Sequence, residues 1–331
     1  MAAQNLAIIE AINLALHSEM ARDKNMVVLG EDIGRNGGVF RATLGLLDKY
    51  GGDRVIDTPL AETLVAAMSI GLATQGLKPV AEIQFSGFLY PCVDQVVNHA
   101  SRMRNRTRGR ITCPMVIRAP NWGGIHAPEH HSEPLETTFA QMPGLRVVCP
   151  SNPERAYGLL LAAIRDPDPV IFLEPTRCYR LFKAPVDDTG EALPLDTAFV
   201  EREGSDITLI SWGAMMHETR LTADKLAEEK ISAEVIDVAT LKPLDTDTIL
   251  ASVAKTGRCV IIQEAPRAGG WGAQIAAEIA EHGLLSLFAP IMRVSGYDTI
   301  MPLAKSERVY IPDVERILKE VRKVFEIAPK S

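Results

Sequence analysis

Along most of this chain, short apolar runs alternate with segments of helical periodicity. The runs predict strands at Met26–Leu29, Pro79–Ile83, Met115–Ile117, Leu145–Val148 and Pro169–Leu173. A second set follows at Asp206–Ile210, Ala233–Asp237, Cys259–Ile262 and Ile291–Val294. Helical patterns fall over residues 4–22, 62–76, 88–106, 152–165, 216–229, 245–255, 271–282 and 313–325. Strands alternating with helices predict an α/β fold whose parallel sheets are covered on both faces. Residues 176–204 break the pattern with Pro185, Gly190, Pro194 and several acids, and read as a linker. Two α/β units result, 1–175 and 205–331.

One helical segment departs from ordinary amphipathicity. In Asp57-Thr58-Pro59-Leu60-Ala61-Glu62, Thr58 reads as an N-cap and Pro59 as the first helical residue. An apolar run to Gly76 follows with almost no polar face, which predicts a helix buried on most sides. Glu62 is then a carboxylate at the mouth of a buried helix. A capping box needs its acid three residues after the cap, and Glu62 is four residues after Thr58. A buried charge is costly unless something pairs with it, so Glu62 belongs either to a structural ion pair or to a ligand.

Composition narrows the classes. With 331 residues, 47% of them hydrophobic, the chain has room for two full cores. A formal net charge of −7 leaves no global basic footprint for nucleic acid. The five cysteines contain no C-x-x-C pair, so neither a zinc ribbon nor a disulfide framework is indicated, and buried thiols in a reducing compartment are expected. No apolar stretch of transmembrane length lacks a charge or breaker. No membrane association is expected, and the chain reads as cytoplasmic, or as mitochondrial matrix if eukaryotic.

Several stretches concentrate chemistry. Residues 123–133 hold three of the seven histidines: His126, His130 and His131. His126-Ala127-Pro128-Glu129-His130 matches the H-x-x-E-H zinc pattern in form, but Pro128 and the preceding glycines oppose the continuous helix that zinc ligation needs. A glycine-rich loop offering a histidine acid or base fits better, with loop-internal hydrogen bonds as the bland role for His126 and His130. Gly30-Glu31-Asp32 opens a loop whose acids would repel phosphate, which suggests an interface or ligand edge. Arg267-Ala268-Gly269-Gly270-Trp271-Gly272 fits either an anion site at a helix start or a tight glycine turn. Arg102, Arg104, Arg106, Arg108 and Arg110 alternate without interleaved aromatics and suggest pairing with acids.

Taken in order, these residues resemble the β subunit of the thiamine-diphosphate-dependent E1 component of 2-oxo acid dehydrogenase complexes. The resemblance rests on Gly30-Glu31-Asp32, Asp57 to Glu62, Glu82-Ile83-Gln84-Phe85-Ser86-Gly87-Phe88, His131-Ser132-Glu133, Pro143 to Val148, Ala163-Ile164-Arg165-Asp166 and Thr256-Gly257-Arg258, and spans nearly the whole chain. It implies a transketolase-like pyrimidine-binding domain, a transketolase C-terminal-like domain and an α2β2 heterotetramer.

The resemblance implies roles as well. The acid at Glu62 hydrogen-bonds N1′ of the cofactor's aminopyrimidine, Phe88 stacks on that ring, and Gln84 lines the same pocket. His131 is the active-site histidine that positions or protonates the 2-oxo acid substrate and the incoming lipoyl group, with neighbouring His130 a competing choice. A structural monovalent cation, K+ among the options, is implied on main-chain carbonyls of Met115, Ala163, Ile164, Asp166 and Asp168. Thiamine enzymes usually hold diphosphate and Mg2+ through a G-D-G motif, which this chain lacks. The implied division leaves Mg2+ to an α subunit, with an E2 lipoyl acyltransferase core as the further partner. Glu31 and Asp94 fall near the implied sites as a possible acidic path. Pyruvate and branched-chain 2-oxo acids are the expected substrates. An acetoin-type E1 β subunit is the near alternative, and a non-catalytic subunit of the same fold a more distant one. A dinucleotide-binding oxidoreductase lacks its fingerprint.

Overall fold

The computed structural model describes residues 3–327. Its strands, in chain order, are β1 (Gln4–Leu6), β2 (Met26–Gly30), β3 (Val55–Asp57), β4 (Lys78–Glu82), β5 (Val116–Asn121), β6 (Arg146–Val148) and β7 (Val170–Pro175). They continue as β8 (Ala184–Val186), β9 (Phe199–Arg202), β10 (Ile207–Ser211), β11 (Ala233–Asp237), β12 (Thr240–Lys242), β13 (Cys259–Pro266) and β14 (Met292–Gly296). Two main sheets form. One has the order β12-β6-β7-β5-β4-β2-β3 and the other β14-β13-β10-β11-β9. Every pairing in the first is parallel except β12 on β6, and every pairing in the second except β9 on β11. Strands β2, β4, β5 and β7 are buried along nearly their whole length, as a sheet covered on both faces demands.

Each of the nine predicted strands exists; seven have both ends within two residues of the prediction, while β5 and β13 run four residues further. The differences have local causes. Residues 4–6 form a strand paired with β8 rather than a helical turn. Ala7 is extended there, and the Glu10 carboxylate accepts its N–H at 2.8 Å, so the helix begins at Ile8. The expected helix over 88–106 is broken. Ser86–Cys92 is a 3₁₀ stretch containing Pro91, and Val96–Ala100 is a π turn in which Ser101 N–H reaches Val96 O. The stretch expected as a linker contributes β8 and β9 to sheets. Strand β12 comes from the second half of the chain and completes the first sheet, so the two halves share an edge.

The helix after Asp57 needs two corrections. It runs Glu62–Thr74 with Ala61 as an N-cap that makes no side-chain bond. Thr58 N–H instead donates to Gly30 O at 3.0 Å, which continues the β2–β3 pairing past its last register pair and delays the helix. Nor is the helix buried on most sides: Val65, Ala66, Ser69, Ile70 and Ala73 face the core, while Leu64 is 46% exposed and Leu60, just before it, 82%. The run is apolar all round, yet this chain packs only one of its faces.

Candidate active site at the carboxyl edge of the first sheet

Open α/β sheets bind ligands beyond the carboxyl ends of their strands. Here that edge gathers the loops after β2, β3, β4 and β5. Gly30 closes β2 with φ +154, and a Cβ there would come within 2.6 Å of Glu82 O, so only glycine lets these two strand ends meet. Asp57, ending β3, ties down the β2 loop by accepting Gly34 N–H at 2.6 Å. The Arg118 guanidinium on β5 bridges Glu82 on β4 (2.8 Å) and Glu174 on β7 (2.7 Å), all three buried. These contacts make a rigid base for the side chains above it.

Four residues singled out in the sequence converge there. Gln84 Nε2 donates to Glu31 O at 3.4 Å. Phe88 meets the His131 ring edge-on at 5.0 Å between centroids, and Phe85 meets the same ring at 4.4 Å. Glu62 is tied to this group through Cys92, whose thiol donates to Glu62 O at 3.2 Å, while Thr63 Oγ1 donates to Pro91 O at 3.0 Å. Phe85, whose ring also meets Phe40 at 5.6 Å, and Cys92 join this group without a sequence signal specific to a site role. The i, i+3 spacing of Phe85 and Phe88 was the available signal, but helical spacing is ordinary for core aromatics.

Electrostatics separate the carboxylates. Burial pushes the Glu31 carboxyl above its ordinary range and the nearby Glu62 charge adds to this, while the Ala61 N–H at the helix start opposes it. One Glu31 oxygen, Oε1, is buried without a hydrogen-bond partner. Two acids thus flank one helix start, and Glu62 makes no ion pair among the described residues. A group bringing an N–H donor between them would satisfy both the orphaned oxygen and the charge.

His131 is presented in a defined tautomer. Its Nδ1 lies 2.8 Å from Glu129 O, and because a carbonyl only accepts, Nδ1 carries the proton. In the neutral ring Nε2 is then the acceptor, suited to receiving or returning a proton. His130 is exposed with φ +68, and its carbonyl presses on Gly87. His126 does not bond only within its loop: its N–H reaches Glu307 in the second half of the chain at 3.2 Å. Residues 123–131 contain no helix, in keeping with the effect of Pro128.

The other sequence candidates resolve individually. Around the implied cation positions, the Asp166 carboxylate is held by Arg146 (2.7 Å) and that of Asp168 by Arg104 (2.8 Å). Met115 O accepts Val170 N–H at 2.9 Å. Helix Pro153–Arg165 ends there. Pro167 has no N–H to return to the Ala163 carbonyl, and Asp168 N–H goes to Asp166 Oδ1 rather than to Ile164. Those two carbonyls therefore lack their usual helical donors. Among the described residues Arg104 is the one alternating arginine that pairs with an acid; Arg102, Arg106 and Arg110 bond to main-chain carbonyls. The 267–272 loop is a tight turn, because Gln263 Oε1 already accepts the Gly272 N–H at the helix start. Among the described residues no three His, Cys, Asp or Glu side chains cluster to hold a metal ion, and no helix is long and apolar enough to cross a membrane.

Comparison with known proteins accounts for both halves of the chain. Residues 4–181 match the transketolase pyrimidine-binding domain, and residues 196–317 the transketolase C-terminal domain. The chain is 48% identical to the pyruvate dehydrogenase E1 component subunit beta of Bacillus subtilis strain 168 over 321 residues, 97% of this chain and 99% of that one. It is 46% identical to the subunit of the same name from Acholeplasma laidlawii, over 98% and 99% of the two chains. A split-gene transketolase solved as an inactive β4 tetramer superposes with a TM-score of 0.79 at 20% identity, covering 98% of this chain and all of that one, which attests the fold. A transketolase-type α/β architecture and near-full-length identity approaching one half place this chain in the family of pyruvate dehydrogenase E1 β subunits.

Proposed function

We propose that this chain is the β half of a thiamine-diphosphate-dependent E1 enzyme that decarboxylates pyruvate and passes the acyl group to a lipoyl carrier. The observation that carries the reading is the unpaired Glu62 carboxylate at the helix start, beside the orphaned Glu31 oxygen and the Phe85–Phe88–His131 cluster. Glu62 would hold N1′ of the aminopyrimidine and share its proton, with Phe88 and Gln84 bounding the ring. When bound, thiamine diphosphate supplies the electron sink for the carbanion left as carbon dioxide departs. His131, with Nε2 as acceptor, would orient the 2-oxo acid and move a proton to or from the reacting oxygen.

The described residues offer no cluster of three acids, histidines or cysteines to hold Mg2+. We assign the diphosphate and its Mg2+ to a partner α subunit and place the active site between chains. The apolar face of helix Glu62–Thr74, with Leu60 and Leu64 exposed beside Glu62, supports such a neighbour, since exposed patches of this kind mark interaction surfaces. Lipoyl-bearing E2 is the expected acceptor. The undonated carbonyls of Ala163 and Ile164 support a monovalent cation, K+ among the options, at that helix end.

The test is Glu62→Gln in the co-expressed α/β complex. Decarboxylation should fall by roughly 10²–10⁴-fold, the usual contribution of a positioned proton-transfer group, while assembly persists. Unchanged turnover would overturn the assignment.

A further inference from the structure

The loop that carries His131 is gripped from the other half of the chain. Glu307, on helix Ala304–Tyr310, is only 2% exposed. Its Oε1 accepts the Gly124 N–H at 2.6 Å and its Oε2 the His126 N–H at 3.2 Å. Beside it, Glu264 on β13 accepts the Gly123 N–H at 2.5 Å. Glu264 is neutralised by Arg177, which also pairs with Glu218. Glu307 has no such cation within ion-pair distance among the described residues; the one ring nitrogen near it is His126 Nε2, at 3.9 Å.

A buried carboxylate without a lysine or arginine must be satisfied by other donors. Here the donors are two main-chain N–H groups of one loop, those of Gly124 and His126, each taken by a different carboxylate oxygen. The loop's own sequence makes the grip possible. A Cβ on Gly123 would meet Met301 Cε at 2.8 Å and Glu307 Oε1 at 3.1 Å. One on Gly124, where φ is +94, would meet Arg177 Cδ at 2.6 Å. His126 and His130 are both left-handed, at φ +58 and +68. Backbone of that kind persists only where its surroundings over-determine it. Glu307 fixes the near end of the loop, and the packing of His131 on Phe85 and Phe88 receives the far end.

We propose that Glu307 is a positioning residue: by holding the Gly124 and His126 amides it sets where His131 stands, so the C-terminal half of the chain orders the site built on the N-terminal half. This rests on the active-site role of His131 proposed above. Glutamine at 307 has one acceptor oxygen, and its amide would face a main-chain N–H donor to donor, so it holds at most one of the two amides. Aspartate keeps the charge but falls one methylene short.

The experiment uses the co-expressed complex with Glu307→Gln, Glu307→Asp, His131→Ala and the double variant Glu307→Gln/His131→Ala. Amide exchange at Gly124 and His126 should quicken by at least ~10-fold in Glu307→Gln, with the rest of the chain unchanged. Its kcat for decarboxylation should fall by ~10-fold or more, with Glu307→Asp between it and the parent. The double variant should be no slower than His131→Ala, because residues acting as a unit are non-additive. Unchanged exchange would overturn the proposal, and so would losses that multiply in the double variant. If Glu307→Gln does not assemble, the same exchange measurement on Glu307→Asp decides. Full activity in His131→Ala would instead defeat the role given to His131, while the exchange arm still reports the grip of Glu307.

Discussion

Gly87 lies against the main chain of His130 so closely that a Cβ at position 87 would stand 1.8 Å from the His130 carbonyl oxygen. The obstacle is backbone, so no side-chain rotation relieves it. The neighbouring Ser86 Oγ donates to Glu133 O at 2.7 Å, which locks the same two segments together from the other side. Gly87→Ala should therefore lift the histidine loop off the Phe85–Phe88 pair. Overpacking of this kind costs about 1–3 kcal/mol, and a fixed carbonyl puts the cost at the upper end. The urea midpoint should drop accordingly; a variant that unfolds at the parent's midpoint would mean the loop is free to step aside.

Arg118 offers a sharper stability test. It is fully buried and joins two buried carboxylates on the neighbouring strands, Glu82 and Glu174, the second also bound by the Tyr179 hydroxyl. Burial pushes the Glu174 carboxyl up, while Arg118 pulls it down. Arg118→Met leaves two like charges in the core, a change of about 3–5 kcal/mol. Denaturation of the purified protein should show that loss at neutral pH, and the loss should shrink in acid as the carboxyls take up protons. A loss independent of pH would point to packing rather than charge.

How far the sequence could be read depends on whether the signal was local. Parallel strands such as Met26–Gly30 and Val170–Pro175 are continuous apolar runs between breakers, and their positions were legible. The helix start at Glu62 was misplaced because Thr58 N–H is taken by Gly30 O, a partner 28 residues away that no cap rule contains. The same helix was expected to be buried because its apolar run does not record whether the second face is covered by this chain. The convergence of Gln84, Phe88 and His131 rests on strand order, which spacing alone does not give. The Glu307 contact is less legible still: it spans 183 residues and is made to main-chain amides, which carry no side-chain signature.

Thiol chemistry gives an inexpensive check on the core. All five cysteines are free and buried. Burial, aided by the charges of Glu62 and Glu31, pushes the Cys92 thiol up to about 12, and burial with Asp168 does the same for Cys113. Cys178 rises to about 11, chiefly through burial, and burial raises Cys149 and Cys259 as well. Thiolate is the reactive form, so a thiol-disulfide reagent at pH 8 should find no fast-reacting group in the native protein and five after denaturation. Prompt native labelling of Cys92 would mean that the contact between its thiol and Glu62 O opens readily.

The last prediction concerns Glu136, a carboxyl fully buried between two indoles. Its Oε1 accepts the N–H of Trp122 and that of Trp212 at 3.4 Å each, joining the two halves of the chain, and its Oε2 has no partner. Burial pushes this carboxyl up to about 7 and the neighbouring Glu264 adds to the rise, while the two indole bonds oppose it. In the unfolded chain the group returns to its reference value of 4.5. Between those values the folded state holds a proton that the unfolded state releases, so folding is favoured by acid. The contribution is complete below about pH 4.5, fades as pH rises through 7 and is gone above it, worth about 3 kcal/mol in all. Glu136→Gln keeps an acceptor for the indoles and cannot ionise. Any cost of its amide is the same at every pH, so the difference between parent and variant isolates the proton. Thermal unfolding from pH 5 to pH 8 should therefore turn toward the variant as pH rises, by several degrees in Tm across the range. Parallel curves would mean that Glu136 is ionised in the folded protein at neutral pH and that water or a cation reaches its Oε2.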